Sequence, residues 1–317
     1  MSDKKNTVPL LVILGPTASG KTHLAVKVAK MLGGEIISAD SRQVYRDMDI
    51  GTGKDLPEYE SDGTQISHHL IDIRDAGEQY NVNEFQKDFE TAYESVTANG
   101  KVPILCGGTG FYMLSLLKGH AYASIPVNEA LREELETVLK EVLLSRFESY
   151  RTAYQYIADT STRKRLIRAI EISEFLSHND GVNAFPDKQP YPYIVFGLNP
   201  EVEIRRERIS NRLKSRLETG LIEEVKHLLS TGLTAEQLIY YGLEYKWITL
   251  YLTGELPYAE MVTRLETEIH RFAKRQMTFF RKMEKDGIYI HWLDNELTAT
   301  EQAHIIAAAY GQFLQNN

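Results

Sequence analysis

The 317-residue chain has a single cysteine, no long apolar run and no excess of positive charge. The one cysteine, Cys106, cannot form a disulfide within the chain, which fits a reducing compartment. Because Cys106 ends an apolar segment, we interpret it as a core residue and not as a nucleophile. No stretch of about 18 apolar residues occurs, and the first residues lack the apolar segment of a signal peptide. These absences predict a soluble, cytoplasmic protein that does not enter a membrane.

Basic residues are concentrated in three segments of a chain whose formal net charge is −8. Residues 205–216 contain six basic residues and one acidic residue, residues 271–282 contain five basic residues and no acid, and residues 163–168 contain four basic residues. Such segments in an acidic chain favour sites for a polyanion that carries phosphate. Each segment taken alone is equally compatible with a solvated helix face.

The segment GPTASGKT, residues 15–22, follows an apolar run and precedes a helical pattern. It matches the phosphate-loop spacing G-x-x-x-x-G-K-[ST] in the strand, loop and helix context that the motif requires. Glycines let successive N–H groups face one anion, the helix N-terminus and a lysine add positive charge, and a hydroxyl suits Mg²⁺. We predict a diphosphate or triphosphate site formed by Gly15, Pro16, Thr17, Ala18, Ser19, Gly20, Lys21 and Thr22, with Thr22 as the metal ligand.

The order of apolar segments predicts the fold. Residues 81–100 show helical spacing behind an asparagine cap, and strand-like runs precede and follow them. This alternation predicts an α/β fold, with a P-loop NTPase-like, mostly parallel sheet flanked by helices. The alternation stops between residue 125 and about residue 190, where the pattern is helical only. We therefore predict a catalytic core at 1–124 and 190–317 with C-terminal helices, and a helical insertion at 125–189. The predicted strands are 10–14, 35–39, 70–73, 102–106, 193–198 and 288–292.

Two further segments follow strands that end near the predicted phosphate loop. Asp40 ends the second strand, at the carboxyl edge where open α/β sheets bind ligands. Its carboxylate is a candidate Mg²⁺ ligand, general base or helix N-cap. The turn GGTG, residues 107–110, leaves Thr109 as the only hydroxyl beside the cavity, although an ordinary tight turn has the same composition. Adjacent His68 and His69 would point to opposite faces of a strand, so Mg²⁺ is the only metal that we expect.

The order and spacing of several motifs resemble the tRNA dimethylallyltransferases, also called tRNA isopentenyltransferases. The resemblance covers residues 9–281 and rests on "GPTASGKT", "ISADSRQVYRDMDIGTGK", "HHLIDI", "GGTGFY", "GLIEEV" and "RFAKRQMTFFR". It implies transfer of a dimethylallyl group from dimethylallyl diphosphate to N6 of adenosine 37 in tRNAs reading codons that begin with U. Diphosphate is released, Mg²⁺ is the cofactor, the tRNA anticodon arm is the partner, and the enzyme is expected to be a monomer.

The resemblance also implies roles for individual residues. The adenine amine is a weak nucleophile whose proton should leave as the new bond forms, and Asp40 matches the family's general base. Thr109 matches a threonine near the reacting oxygen, and Arg208 matches an arginine near the diphosphate, with Arg212 one turn later as its alternative. The residues expected to contact tRNA are Asp40, Ser41, Arg42, Gln43, Arg132, Lys164, Arg165, Arg168, Lys274 and Arg275.

The sequence departs from the family pattern at three places, all expected to lie outside the chemical centre. Glu244 stands at a glycine position, His270 at a threonine position, and residues 154–165 replace the usual run before the basic pair. Three other functions share part of this pattern. They are an isopentenyltransferase acting on free AMP or ADP, a P-loop small-molecule kinase, and a non-catalytic RNA-binding protein. The basic segments favour tRNA over free nucleotides.

Overall fold

The computed structural model describes residues 8–61, 63–118, 125–156, 158–179 and 191–316. Contacts divide the chain into two compact units. The core unit is Met1–Lys118 together with Pro190–Asn317, and the insertion unit is Gly119–Gln189. Within the described ranges, no helix combines the length and the apolar character that a membrane crossing requires.

The core unit is built on a parallel sheet of six strands in the order β5-β2-β6-β1-β7-β8. A separate antiparallel pair is formed by β3 and β4. The strands are β1 (Leu10–Leu14), β2 (Gly34–Ala39), β3 (Glu60–Ser61), β4 (Thr64–Gln65), β5 (His68–His69), β6 (Val102–Gly107), β7 (Tyr193–Gly197) and β8 (His291–Trp292).

Helices of the core unit cover both faces of this sheet and extend beyond its edge. They are α1 (Lys21–Leu32), α2 (Val82–Ala98), α3 (Gly110–Lys118), α7 (Val202–Glu218), α8 (Leu221–Ser230), α9 (Ala235–Tyr241), α10 (Leu243–Leu252), α11 (Tyr258–Lys285) and α12 (Ala299–Asn316). Those of the insertion unit are α4 (Glu129–Glu136), α5 (Lys140–Ser149) and α6 (Arg163–His178). Short 3₁₀ helices lie at Leu56–Tyr59 and Ala153–Tyr156.

Alternating side chains of β1 explain the layered arrangement. Successive residues of a strand point to opposite faces, so a continuous apolar run requires cover on both faces. Val12 packs in one core with residues of α2, α3 and α11, whereas Ile13 packs in a second core with residues of α1 and α12. Cys106 lies in the second core, where burial raises its pKa to about 12. The predicted α/β fold and the core role of Cys106 are therefore confirmed.

Local signals predicted most element boundaries, with two exceptions. One is the predicted strand at 288–292, which is wrong for residues 288–290 because only His291 and Trp292 pair with β7. Asn81 caps α2 by accepting hydrogen bonds from the N–H groups of Asn83 and Glu84, as the predicted helix start requires. The predicted strand at 70–73 is also wrong, because pairing ends at His69 and Leu70 has a left-handed backbone with φ of 62°. Asp72 also has positive φ, and its carboxylate pairs with the buried Lys54 ammonium. A turn with polar contacts therefore occupies the segment in which the apolar residues predicted a strand.

The insertion unit depends on a buried carboxylate. Glu171 of α6 is almost fully buried, and its two oxygens accept hydrogen bonds from Arg132 at 2.9 and 3.0 Å. Arg168 pairs with the same carboxylate at 3.2 Å. Arg163 donates to the carbonyls of Leu135, Glu136 and Val138, at and just beyond the C-terminal end of α4. Arg132 and Arg163 therefore join α4 to α6, and Arg168 adds a second positive charge beside the buried carboxylate.

Glu171→Ala is expected to destabilise the insertion unit by about 3 kcal/mol, the lower end for a broken buried ion pair, because its arginine partners remain partly solvated. Hydrogen exchange of α4 and α6 amides in the full chain measures the loss. The matched control is Glu133→Ala, which removes an exposed carboxylate from α4. Equal exchange rates in the two variants would show that the buried ion pairs do not stabilise this unit.

Candidate active site

The predicted phosphate loop connects β1 to α1. Gly20 stands at the N-terminus of α1 with φ of 86°, a left-handed conformation that glycine adopts without strain. Lys21 begins the helix, and its first turn contains no acidic residue that would oppose an anion. Burial lowers the pKa of Lys21, and the nearby carboxylate of Asp40 opposes that shift. The loop therefore has the geometry and the charge of an anion site.

Gln276 of α11 joins the phosphate loop to the turn after β6. Its side-chain oxygen accepts a hydrogen bond from the N–H of Thr17 at 2.8 Å, and its amide nitrogen donates to the carbonyl of Gly108 at 3.0 Å. A Cβ at Gly108 would lie 2.3 Å from that nitrogen, so the close approach requires glycine. No motif in the sequence indicates this role for Gln276, because its two partners lie 259 and 168 residues away along the chain.

A cavity of about 590 Å³ opens beside the phosphate loop at the carboxyl edge of the sheet. It brings together nine of the residues that the sequence analysis proposed for binding or catalysis, from four separate segments. They are Thr17, Lys21, Thr22, Asp40, Ser41, Arg42, Gln43, Thr109 and Arg275. The roles of these residues remain predictions, but their convergence on one cavity is an observed property of the fold.

One of the two carboxylate oxygens of Asp40 accepts hydrogen bonds from the backbone. Its Oδ1 accepts hydrogen bonds from the N–H groups of Arg42 at 2.9 Å and Gln43 at 3.4 Å, which is the capping geometry weighed from the sequence. Its Oδ2 accepts no hydrogen bond from a described residue. Thr109 supports the same segment, because its Oγ1 accepts a hydrogen bond from the N–H of Ser41 at 3.2 Å. The capping contacts thus orient the carboxylate and leave its second oxygen available to a ligand.

The loop between residues 48 and 54 forms another wall of the cavity and is fixed by Glu224 of α8. The Glu224 carboxylate accepts hydrogen bonds from the N–H groups of Asp49, Ile50 and Gly51 at 2.6 to 3.0 Å. It also accepts a hydrogen bond from the Tyr245 hydroxyl at 2.7 Å. The helices that follow β7 therefore determine the position of a loop that lies more than 170 residues earlier in the chain.

Arg208 and Arg212 occupy different positions at the phosphate loop. Arg208 is exposed and lines a second cavity of about 490 Å³, which also borders residues 18–24. Arg212 lines both cavities, and its guanidinium donates to the Thr17 hydroxyl. Burial, and then the neighbouring Arg216, lower the pKa of Arg212 to about 10, so it stays charged at neutral pH. Of these two arginines, only Arg212 borders the cavity that contains Asp40.

Glu244 lies in the wall of the same cavity, so the expectation that all three departures lie outside the centre is wrong for this residue. Positive φ at Gly242 and Leu243 redirects the chain between α9 and α10 and places Glu244 in the first turn of α10. Burial raises the pKa of the carboxyl, and the charges of Arg216 and Arg212 oppose the shift. None of the sequence motifs predicts this carboxyl group in the wall of the site.

The oxygen donors for a divalent cation would come from the phosphate loop. Thr22 lines both cavities, and the buried Ser19 hydroxyl has no hydrogen-bond partner among the described residues. Mg²⁺ is commonly held by one or two protein oxygens together with phosphate and water. The loop therefore fits this ion, although the described ranges contain no cluster of three His, Cys, Asp or Glu side chains.

The predicted tRNA contacts of the basic segments have unequal surroundings. Lys274 and Arg275 are exposed on α11, while Met277 and Phe280 of that helix are buried in the core. In the insertion unit, Lys164 is exposed and forms no ion pair with a described residue, whereas Arg165 pairs with Asp159 at 2.9 Å. Arg132 and Arg168 form the ion pairs with Glu171 described above. Lys274 and Lys164 are therefore exposed without an ion pair to a described residue, and Arg275, which pairs with Glu268 at 3.9 Å, also borders the cavity.

Lys274→Ala with Arg275→Ala is expected to weaken tRNA binding and to reduce the slope of log affinity against log salt by about 1 to 2, as lost phosphate contacts do. Filter binding at several salt concentrations measures both quantities. Lys101→Ala is the control, because this exposed lysine precedes β6 at the opposite edge of the sheet from the cavity. An unchanged slope in the double variant would mean that these cations are solvated on the helix surface and do not contact phosphates.

The phosphate loop and the cavity on a parallel sheet define a P-loop α/β protein, and comparison with known proteins gives the family. A profile of the IPP transferase family matches residues 43–283, and a profile of isopentenyl transferases matches residues 8–73. The chain therefore belongs to the IPP transferase family, which confirms the resemblance seen in its motifs.

Individual relatives match over nearly the whole chain. The chain is 50% identical over 302 residues to tRNA dimethylallyltransferase 1 of Porphyromonas gingivalis, covering 95% of this chain and 99% of the relative. It is 48% identical over 307 residues to tRNA dimethylallyltransferase 2 of Bacteroides fragilis, covering 96% and 98%. The solved full-length tRNA isopentenylpyrophosphate transferase from Bacillus halodurans aligns with a TM-score of 0.70 and 31% identity over 97% of each chain.

Proposed function

We propose that the protein transfers a dimethylallyl group from dimethylallyl diphosphate to N6 of adenosine 37 in tRNAs that read codons beginning with U. The observation that carries this proposal is that the phosphate loop and the Asp40 carboxylate border one cavity. One site can then hold the diphosphate leaving group and the proton acceptor next to the carbon and the nitrogen that form the new bond. The near full-length relatives named as tRNA dimethylallyltransferases support tRNA as the acceptor over free AMP or ADP.

The phosphate loop acts on the leaving group. The bond between C1 of the allyl group and the diphosphate oxygen breaks, and negative charge accumulates on that oxygen. The Lys21 ammonium and the Arg212 guanidinium stabilise this charge, because both residues border the cavity next to the N-terminus of α1. Mg²⁺, when bound through the Thr22 hydroxyl, would supply additional positive charge to the diphosphate.

Asp40 acts on the nucleophile. The new bond forms between C1 of the allyl group and N6 of adenosine. N6 then carries a positive charge and must lose a proton. The Oδ2 atom of Asp40 accepts that proton, while its Oδ1 remains bound to the N–H of Arg42. The products are N6-(dimethylallyl)adenosine, diphosphate and a proton, so the reaction balances. Thr109 positions the segment that contains Asp40 and Ser41.

The RNA partner proposed here is the anticodon arm, and the protein is proposed to act as a monomer in the cytoplasm. An adenosine in a loop can leave its stack at a cost of a few kcal/mol, which allows it to enter a cavity. Arg42 and Arg275 border that cavity with positive charge suited to the flanking phosphates.

The proposal is tested by incubating the protein with Mg²⁺, dimethylallyl diphosphate and unmodified tRNA, followed by nuclease digestion and mass spectrometry of the fragments. The expected product is one dimethylallyl group on the fragment that contains adenosine 37. A prenylated adenosine elsewhere in the tRNA would contradict the proposed position, and an unmodified tRNA would contradict the proposed activity.

A further inference from the structure

Three aromatic side chains line the cavity, and one of them, Tyr241, is buried. Trp247 of α10 and Phe272 of α11 are both half-buried, and the two helices pack against each other. Lys246 lies with its ammonium nitrogen 4.9 Å from the centre of the Trp247 ring, and the Arg264 guanidinium lies 5.5 Å from it. Arg275 lies 5.9 Å from the Phe272 ring. Cations and exposed aromatic area thus occur together on one wall.

Only part of the Trp247 side chain packs against the core. Its neighbours Tyr245 and Ile248 on α10 are buried in the helical core, whereas Trp247 packs against the edge of that core and also borders the cavity. Exposed aromatic area beside cations is the combination that binds single-stranded nucleic acid, since bases stack on the rings while cations meet phosphates. Neither the phosphate loop nor Asp40 needs an aromatic residue there.

We propose that Trp247 is a stacking platform for an unpaired RNA base that flanks the target adenosine. The proposal rests on the proposed function, because it assumes that the adenosine of an RNA loop enters this cavity. Stacking on Trp247 would retain the neighbouring base after the adenosine has left the stack. Lys246 and Arg264 lie over the indole ring, so the stacking base would displace one of them from the ring face, and that cation would then meet a neighbouring phosphate. Trp247 would therefore contribute to RNA selection and not to the bond-breaking step.

The chain has only two tryptophans, which makes the platform directly observable. Trp292 lies in β8 and donates its indole N–H to Glu284 at 2.9 Å, and it does not line the cavity. A Trp292→Phe variant therefore reports the fluorescence of Trp247 alone. An anticodon stem-loop RNA added to this variant without prenyl donor is expected to quench that fluorescence. Stem-loops with one abasic nucleotide on either side of the target adenosine identify the stacked base, because one of them should bind without quenching.

Kinetics of Trp247 variants provide the second readout. Trp247→Ala is expected to lower kcat/KM for the stem-loop by about 10-fold, mainly through KM, while KM for dimethylallyl diphosphate stays unchanged. Trp247→Phe keeps a stacking face and is expected to retain most of the activity, which separates stacking from loss of fold. Absence of quenching at saturating RNA, or a change confined to KM of the prenyl donor, would overturn the proposal. Failure of the unaltered protein to prenylate any RNA would instead refute the proposed function.

Discussion

Asp40→Asn is expected to lower kcat for tRNA prenylation by about 10²- to 10⁴-fold, the range for a lost general base, and to leave tRNA affinity nearly unchanged. Asparagine has almost the same shape, and its side-chain oxygen can still accept the hydrogen bond from the N–H of Arg42. The substitution therefore removes the proton acceptor and preserves the loop. Single-turnover prenylation at saturating substrate, together with a tRNA binding titration, measures the two quantities separately.

A second carboxylate of the cavity provides the control for Asp40. Asp55 borders the same cavity and pairs with Arg216 at 3.4 Å, but it has no predicted part in proton transfer. Asp55→Asn is expected to reduce kcat by less than about 10-fold, well below the effect of a lost general base. A loss of tRNA affinity in Asp40→Asn without a loss of kcat would assign Asp40 to RNA binding and remove it from the chemistry.

Lys21→Met is expected to lower kcat/KM for dimethylallyl diphosphate by about 10²- to 10³-fold, as removal of one preoriented donor to a developing anion does. Methionine keeps most of the side-chain length, so the main loss is the positive charge. Burial lowers the pKa of Lys21, and the same low-dielectric surroundings strengthen the attraction between its ammonium and a diphosphate. Steady-state kinetics with the prenyl donor as the varied substrate measure the effect.

Lys27 of the same helix is the matched control for Lys21. It lies outside both cavities, so Lys27→Met is expected to leave both kinetic constants of the donor unchanged. If Lys21→Met also left kcat and KM for the donor unchanged, the phosphate loop would not hold the leaving group, and the proposed mechanism would fail at its first step.

The parts of this site that could be predicted from the sequence are local in the chain. The phosphate loop is a run of eight residues, and both Asp40 and Thr109 follow recognisable strands. The rule that parallel strands present their carboxyl ends at one edge was then enough to predict that these groups meet. Cavity-lining positions for Asp40, Thr109 and Lys21 follow directly from that topology.

Long-range contacts could not be predicted in this way. Gln276 and Glu224 connect segments separated by more than 160 residues, and no spacing in the sequence indicates either contact. Basic residues of the insertion unit were predicted to contact tRNA from their charge and from the family resemblance, and neither distinguishes a solvated cation from one paired with the buried Glu171. The position of Glu244 depends on the positive φ of Gly242, which changes the direction of the chain. The sequence of that region does not predict this change.

The most direct test of the account compares three acceptors under identical conditions. Purified protein, Mg²⁺ and labelled dimethylallyl diphosphate are incubated separately with unmodified tRNA, with AMP and with ATP, and kcat/KM for label transfer is measured for each. The account predicts label in tRNA at adenosine 37 and none in either free nucleotide. Transfer to AMP alone would contradict it and identify a free-nucleotide transferase, whereas ATP turnover without prenyl transfer would assign the phosphate loop to a kinase.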